Sequence, residues 1–154
     1  LDLCKILVAR TTKIELLVPK ESLPVHIDEF TFRQTILNLT INARDAMGPE
    51  GFIQITLRRV EKGAEMSGEL KQPMGPAPSH GVVLAFSDTG CGISTDILGK
   101  IFQPFFTTKE SGKGSGFGLY NVRIFANQHA GKIGVASVPG NGTTFYLYLP
   151  IVEE

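Results

Sequence analysis

The stretch Lys132–Leu149, KIGVASVPGNGTTFYLYL, decides the fold class. Lys132 to Val138 and Thr143 to Leu149 are β-rich runs, and Pro139-Gly140-Asn141-Gly142 between them is turn chemistry, so the segment predicts a hairpin. Two strands this close in sequence favour a mixed sheet over a parallel, doubly wound one. Just upstream, Phe117–Gln128 sets Leu119, Val122 and Ala126 on one side of a helix that Gly131 ends. Further back, Gly81–Ser87 is an apolar strand running into Asp88-Thr89-Gly90, and Phe52–Val60 alternates in part as a strand does.

A longer helix precedes these strands. Asp28 is its N-cap, and Phe32, Ile36, Leu39, Ala43 and Met47 recur at three- and four-residue spacing over about five turns until Gly48-Pro49 stops it. Ile14–Val18 predicts a strand ending at Pro19, while Leu1–Val8 is merely apolar-rich. Ser94–Phe102 predicts a short helix capped by Ser94. Residues 61–80 carry Gly63, Gly68, Pro73, Gly75, Pro76 and Pro78, which predicts a loop or a mobile hairpin end. Thr107–Gly118 is too rich in glycine for a packed element. Strands outnumber long helices. Residues 1–154 are therefore expected to form one α+β domain, a two-layer sandwich with a mixed, mostly antiparallel sheet packed against helices.

Bulk properties narrow the function. A chain of 154 residues has room for one sizeable core. With 42% hydrophobic and 19% charged residues it is ordinary globular chemistry. Fifteen basic and fifteen acidic residues cancel, and no basic stripe is interleaved with aromatics, so nothing argues for nucleic acid. Cys4 and Cys91 have no metal or redox spacing, which suits a reducing compartment. No apolar run approaches the roughly 20 residues that cross a bilayer, and no signal-peptide pattern is present. The sequons at Asn38 and Asn141 are accordingly chance matches. Because the chain begins at Leu1 rather than Met, we expect a piece of a longer protein. A cytoplasmic location is expected of the domain, and a membrane anchor stays open for the parent.

Four constellations could carry chemistry. Asn38, Asn42 and Asp45 stand at i, i+4 and i+7, on one stripe beside the apolar face of the long helix. Asparagine competes with the helix backbone for hydrogen bonds, so the pair is either two satisfied polar residues at a helix edge or a set of amide oxygens for a hard cation such as Mg²⁺. Asp88-Thr89-Gly90-Cys91-Gly92 follows a strand, and is either an Asx turn or a carboxylate poised on a ligand edge. Gly112-Lys113-Gly114-Ser115-Gly116-Phe117-Gly118 opens the second helix, where amides and the helix dipole suit phosphate. It is not a Walker A loop, since Gly114 follows Lys113, and Leu119 stands where G-x-G-x-x-G needs its third glycine. In Phe102-Gln103-Pro104-Phe105-Phe106-Thr107-Thr108-Lys109, the phenylalanines are either core or the hinge of a lid.

Taken in order, these blocks resemble the N, G1, F and G2 boxes of sensor histidine kinases, in the superfamily shared with gyrase, heat-shock chaperone and mismatch-repair ATPases. The residues are Asn38-Leu39-Thr40-Ile41-Asn42-Ala43-Arg44-Asp45-Ala46-Met47, Asp88-Thr89-Gly90-Cys91-Gly92-Ile93, Pro104-Phe105-Phe106-Thr107-Thr108-Lys109 and Gly114-Ser115-Gly116-Phe117-Gly118-Leu119. The ending Gly142-Thr143-Thr144-Phe145 to Leu149-Pro150 is also similar. The resemblance spans about Asp28 to Pro150 and implies the Bergerat ATP-binding fold. It implies ATP and Mg²⁺ as cofactors, with Asn42 the metal ligand and Asn38 holding metal and phosphates one turn earlier. Asp88 would accept the adenine amino group, with a hydroxyl corresponding to Thr143. Gly90, Gly92 and Ile93 would flank the base, with Gly92 allowing its close approach. Gly114, Ser115, Gly116, Phe117, Gly118 and Leu119 would form the phosphate turn, and Lys109 and Lys113 would lend charge. Residues 107–116 would be the ATP lid, and residues 1–12 the end of a linker from a dimerisation domain. Arg44 and Asp45 receive no chemical role.

The family mechanism passes the γ-phosphoryl group of ATP to a histidine on a separate dimerisation domain, and then to a response-regulator receiver domain. The Asn-Ala-Arg-Asp-Ala-Met and Phe-Phe-Thr-Thr-Lys wording resembles the nitrogen-regulation subgroup. Ser115 replaces a common threonine, and Phe117 a common leucine. His26, His80 and His129 fit no acceptor box and are expected to be surface or capping residues, so little self-phosphorylation is expected. Three rivals stay open. A gyrase- or chaperone-type ATPase ordinarily has a glutamate base where this chain has Asn38. A serine kinase acting on an anti-anti-sigma partner shares the fold. A degenerate nucleotide-binding or interaction module would have lost transfer altogether.

Overall fold

The structure, a computed structural model, describes residues 1–66, 74–109 and 114–152. Its elements are α1 (Asp2–Leu7), β1 (Lys13–Leu17), α2 (Glu29–Ala46), β2 (Phe52–Val60), β3 (Gly81–Asp88), α3 (Gly118–Gln128), β4 (Lys132–Ser137) and β5 (Thr143–Pro150). One sheet of five strands runs β1-β2-β3-β5-β4. Among the described strands only β1 and β2 pair in parallel. A parallel pair needs a long crossover, and α2 lies in that connection. The hairpin of β4 and β5 is in register from Lys132 opposite Tyr148 to Ser137 opposite Thr143. The mixed, mostly antiparallel sheet with helices packed on it is thus as the sequence predicts.

Asp28 caps α2: its carboxylate accepts from the Thr31 amide at 2.8 Å. Helix α2 runs 18 residues and buries Leu39 and Ala43 against the sheet. Ile53, Ile55, Leu84, Phe86, Phe145 and Leu147 meet them from the strands, and Val122, Phe125 and Ala126 from α3. Each such fully buried aliphatic or phenyl side chain contributes on the order of 2 kcal/mol. Phe32 of α2 and Phe125 of α3 bring their rings to 5.9 Å. On the other side of α2, the buried Thr40 hydroxyl donates to the Ile36 carbonyl and contacts Cys4 of α1. His129 joins the two long helices: its Nε2 accepts from the Asp28 amide at 3.1 Å, while Nδ1 lies 2.8 Å from the Phe125 carbonyl. His26 is exposed, and His80 pairs with Glu61.

The opposite face of the sheet is covered too. Met66 and Ala77 are buried with Val60, Val83 and Tyr148, and Met74 packs against them. The Tyr148 hydroxyl, wholly buried, lies 2.8 Å from Ser79 Oγ and 3.1 Å from the Ser79 carbonyl. Residues 61–66 and 74–80 are irregular, apart from a single bridge between Glu65 and Pro76, and they shield this face. That explains why β3 is buried along nearly its whole length rather than alternating. Gly68 and Pro73, counted in the loop prediction, lie outside the described residues.

One predicted element is absent. Residues 94–102 form successive turns, with Ile97 bonded to Ser94, Lys100 to Ile97 and Gln103 to Lys100 in an i to i+3 pattern. Ser94 turns its hydroxyl to Asp96. Leu98 and Ile101 are buried all the same. Among the described residues no helix is long and apolar enough to cross a membrane.

Candidate functional site

A cleft of about 410 Å³ lies between α2, the loop after β3, the start of β5 and the segments on either side of residues 110–113. Asp88 sits at its base, at the C-terminal end of β3, the central strand. Its register partner across β5 is Thr143, which also lines the cleft. Asp88 is only 8% exposed. Burial pushes its carboxyl above the usual value of 3.8, and backbone bonds from Gly90 and Thr143 offset this only in part.

The loop carrying Asp88 is tied down on three sides. The Gly90 amide donates to Asp88 Oδ1 at 2.8 Å. The Cys91 amide donates to the last carbonyl of α2, Ala46, at 2.9 Å, and the Gly140 amide donates to the Cys91 carbonyl at 2.7 Å. The Ile93 amide donates to Ser137 Oγ at 2.7 Å. That hydroxyl also lies 3.0 Å from the Gly142 carbonyl and 2.8 Å from the Thr143 hydroxyl. Gly92 has φ +74°, and a Cβ there would sit 2.3 Å from the Val138 carbonyl oxygen. Only glycine fits both the angle and the space.

Above Asp88 the polar stripe of α2 faces the N-terminus of α3. Asn38, Asn42 and Asp45 all line the cleft. Asn38 Oδ1 points toward Gly118, 3.8 Å from where a Cβ would be. Among the described residues no side chain caps α3, and a helix N-terminus of this kind is chemistry that suits an anion. The Asn42 amide nitrogen is buried, with no hydrogen-bond partner among the described residues. Ile93, Ile97, Ile101, Phe106, Leu119 and Phe145 make the apolar wall, which suits a planar ring.

These features come from segments far apart in the chain. Residues 27–153 match the family model described as histidine kinase-, DNA gyrase B-, and HSP90-like ATPase (HATPase_c). This chain belongs to that family. Among relatives, the sensor kinase CckA of Brucella abortus (strain 2308) is 48% identical over 132 residues, which are 85% of this chain and 14% of CckA. The signal transduction histidine-protein kinase AtoS of Escherichia coli (strain K12) is 38% identical over 128 residues, 83% of this chain and 18% of AtoS. The chain thus spans under a fifth of the length of these two relatives. The catalytic domain of histidine kinase ThkA superposes with a TM-score of 0.70 at 27% identity, covering 92% of this chain and 80% of that one. The chain is a HATPase_c domain of the histidine kinase type.

Within this HATPase_c domain the structure gathers twelve of the fourteen sequence candidates around one cleft: Asn38, Asn42, Asp88, Gly92, Ile93, Lys109, Gly114, Ser115, Gly116, Gly118, Leu119 and Thr143. The other two stand behind it. Gly90 is buried against Ala46, and Phe117 stacks edge-on with Phe105 at 4.7 Å. Lys113 and Gly112 lie outside the described residues. The phenylalanine block divides between its two readings. Phe102 meets Phe145 in the core at 6.2 Å, Phe106 lines the cleft, and Phe105 is 74% exposed. Sequence reasoning missed Ser137, whose hydroxyl joins the Asp88 loop to the hairpin, and gave no role to Asp45, which pairs with Lys109. A lone serine in a strand and an acid 64 residues from its partner leave no local signal.

Proposed function

We propose that the cleft binds ATP with Mg²⁺ and presents its terminal phosphate to a histidine on another domain, as in a two-component sensor kinase. The observation that carries the proposal is convergence: the Asp88 carboxylate, the Asn42 amide and the open N-terminus of α3 line one cavity. Asp88 and Thr143 would take the adenine edge. Ile93, Leu119 and Phe145 would pack on the base, with Gly90 and Gly92 shaping the loop beneath. Asn38, the amides of Gly114, Gly116 and Gly118, and the Lys109 ammonium would receive the phosphates, with Ser115 and Phe117 shaping the turn through the bond from the Phe117 amide to the Ser115 hydroxyl.

The residues present fit Mg²⁺. Among the described residues no cluster of three His, Cys, Asp or Glu side chains could hold a metal, so there is no all-protein cage. Mg²⁺ is ordinarily held by one or two protein oxygens together with substrate phosphates and water. Asn42 lines the cleft and its amide nitrogen has no hydrogen-bond partner among the described residues, so its amide oxygen is the donor of this set suited to such an ion. When bound, the ion would neutralise phosphate charge. The protein's own part is positioning, which can supply several kcal/mol of the barrier (roughly 7–11 in the best cases).

Asn38 stands where the gyrase-type ATPases would have a glutamate base, which supports transfer over hydrolysis. Residues 107–116 would act as the ATP lid and residues 1–12 as the end of a linker. The partners would be the histidine-bearing dimerisation domain and a response-regulator receiver. The Asn-Ala-Arg-Asp-Ala-Met wording supports a nitrogen-regulation-like subgroup. The domain would work in the cytoplasm. Titration calorimetry with a non-hydrolysable ATP analogue, with and without Mg²⁺, tests the core of this. We expect Mg²⁺ to tighten binding, and Asn42→Ala to abolish that gain, a loss of about tenfold. Full transfer to a supplied dimerisation domain by Asn42→Ala, or brisk hydrolysis without an acceptor, would count against it.

A further inference from the structure

Asp45 is an odd residue to find in a cleft for a polyanion. It lines the cavity three residues beyond Asn42 on α2, where its charge opposes any phosphate. Its charge is nevertheless engaged. Lys109, arriving from the segment after Phe106, pairs its ammonium with Asp45 Oδ2, and both side chains are only 30% exposed. Arg44 takes the other oxygen, with Nη2 at 2.8 Å and Nε at 2.9 Å from Oδ1. Burial pushes the carboxyl up, but the bonds from Lys109 and Arg44 hold it below the usual 3.8, so it is ionised at neutral pH.

Lys109 is the cation of the F-box segment best placed to meet a phosphate, and it already has an anion. We propose that Asp45 is an internal stand-in for phosphate: it occupies Lys109 until a nucleotide phosphate displaces it, and so makes the cleft discriminate between nucleotides by charge. The inference rests on the ATP assignment and goes one step beyond it. A ligand without phosphate cannot release Lys109 and gains nothing from it. A triphosphate offers Lys109 several anionic oxygens of higher total charge in place of the single carboxylate. Arg44 stays with Asp45 during the exchange, so the displaced carboxylate is never left unpaired. The contact is local enough to be removed without touching the core, because all three side chains are partly exposed.

The test is calorimetry of the 154-residue chain with ATP, ADP and adenosine, for wild type, Asp45→Asn, Asp45→Glu, Lys109→Met and the Asp45→Asn/Lys109→Met double variant. Asp45→Asn is expected to tighten ATP about threefold to fivefold, the scale of a partly exposed ion pair. ADP should tighten less, and adenosine should not change. Asp45→Glu should restore wild-type behaviour. Lys109→Met should weaken ATP and leave adenosine alone, and in that background most of the gain from Asp45→Asn should vanish. A merely structural Asp45 would instead weaken all three ligands together and lower the melting temperature. Unchanged or weaker ATP binding in Asp45→Asn, or an equal change for adenosine, overturns the proposal. Wild-type chain that binds none of the three ligands would fail earlier, at the ATP assignment itself, and is told apart by being measured first.

Discussion

At the Asp88 end of the cleft each turn of the loop is fastened to a packed element, whereas at the other end the contacts of residues 105–109 and 114–118 that the structure describes lie near the surface. The first is held by α2 through Cys91, by the hairpin turn through Gly140 and by the buried Ser137 through Ile93. The second rests on Lys109 with Asp45, on Phe105 against Phe117, and on the turn bonds that Thr107 and Ser115 make with nearby amides. Phe105 is itself in the left-handed region at φ +64° while 74% exposed, a conformation that costs on the order of 1 kcal/mol for a non-glycine residue. The contrast teaches where adaptability is placed. On the nucleotide assignment, adenine is the same in every ligand and can be met by a fixed acceptor, whereas the phosphate count changes and needs groups that can re-pair.

The largest effect should come from the fixed end. Asp88→Asn is expected to weaken ATP by about a hundredfold, because the charged acceptor is lost from a buried position. It should not lower the melting temperature at neutral pH. A buried carboxyl whose pKa is raised in the fold favours folding below its ordinary 3.8 and loses that contribution as pH rises through the raised value. At neutral pH the ionised form is therefore the less favourable one, and the amide removes it. For the same reason, wild-type affinity should fall on acidification at a higher pH than an exposed aspartate would give, and Asp88→Asn should lack that fall. Calorimetry across pH, with thermal melts of both proteins, checks the two halves separately.

Gly92→Ala comes next and tests the fastening directly. The added Cβ would meet the Val138 carbonyl at 2.3 Å with φ at +74°. The loop and hairpin turn are bonded to each other and neither can yield alone, so stability should drop by about 2 kcal/mol. Chemical denaturation measures it. A loss below about half a kcal/mol would mean that the loop is looser than its hydrogen bonds imply.

Much of this was legible in the sequence, for identifiable reasons. Helix α2 announced itself because Leu39 and Ala43 bury at helical spacing behind an Asp28 cap. The central strand was visible as an unbroken apolar run ending on Asp88. The cleft was legible as four short blocks because each holds its chemistry within a few consecutive residues. What escaped was non-local. The helix predicted at Ser94–Phe102 failed because Leu98 and Ile101 can bury from a chain of turns as well as from a helix, and Gly99 gives a helix little support. Met66 and Met74 cover the second face of the sheet from within a Pro- and Gly-rich stretch whose composition signals only a loop.

Ser137 belongs to the same hidden class. Its buried hydroxyl contacts the Ile93 amide, the Gly142 carbonyl and the Thr143 hydroxyl. Ser137→Ala should cost about 1 kcal/mol of stability and weaken ATP a few-fold by loosening Thr143 beside Asp88, both readable from one melt and one titration.

The smallest stability change should come from Gly116→Ala, which on geometry alone resembles Gly92→Ala. Its φ is +70°, and a Cβ would stand 2.5 Å from the Phe105 carbonyl carbon. The obstacle here is the backbone of Phe105, in an exposed turn closed by one long bond, from the Phe106 amide to the Gln103 carbonyl at 3.4 Å, and not fastened to the loop that carries Gly116 as the hairpin turn is to the Gly92 loop. Phe105 can move outward, and leaving its own left-handed conformation would offset part of the strain. We expect a stability loss under about 1 kcal/mol, with ATP weakened severalfold because the turn before α3 is displaced. Denaturation and calorimetry on the two alanine variants side by side decide the matter. Equal losses of stability would place the Gly116 turn inside the cooperative core and remove the distinction between a fixed end and an adaptable one.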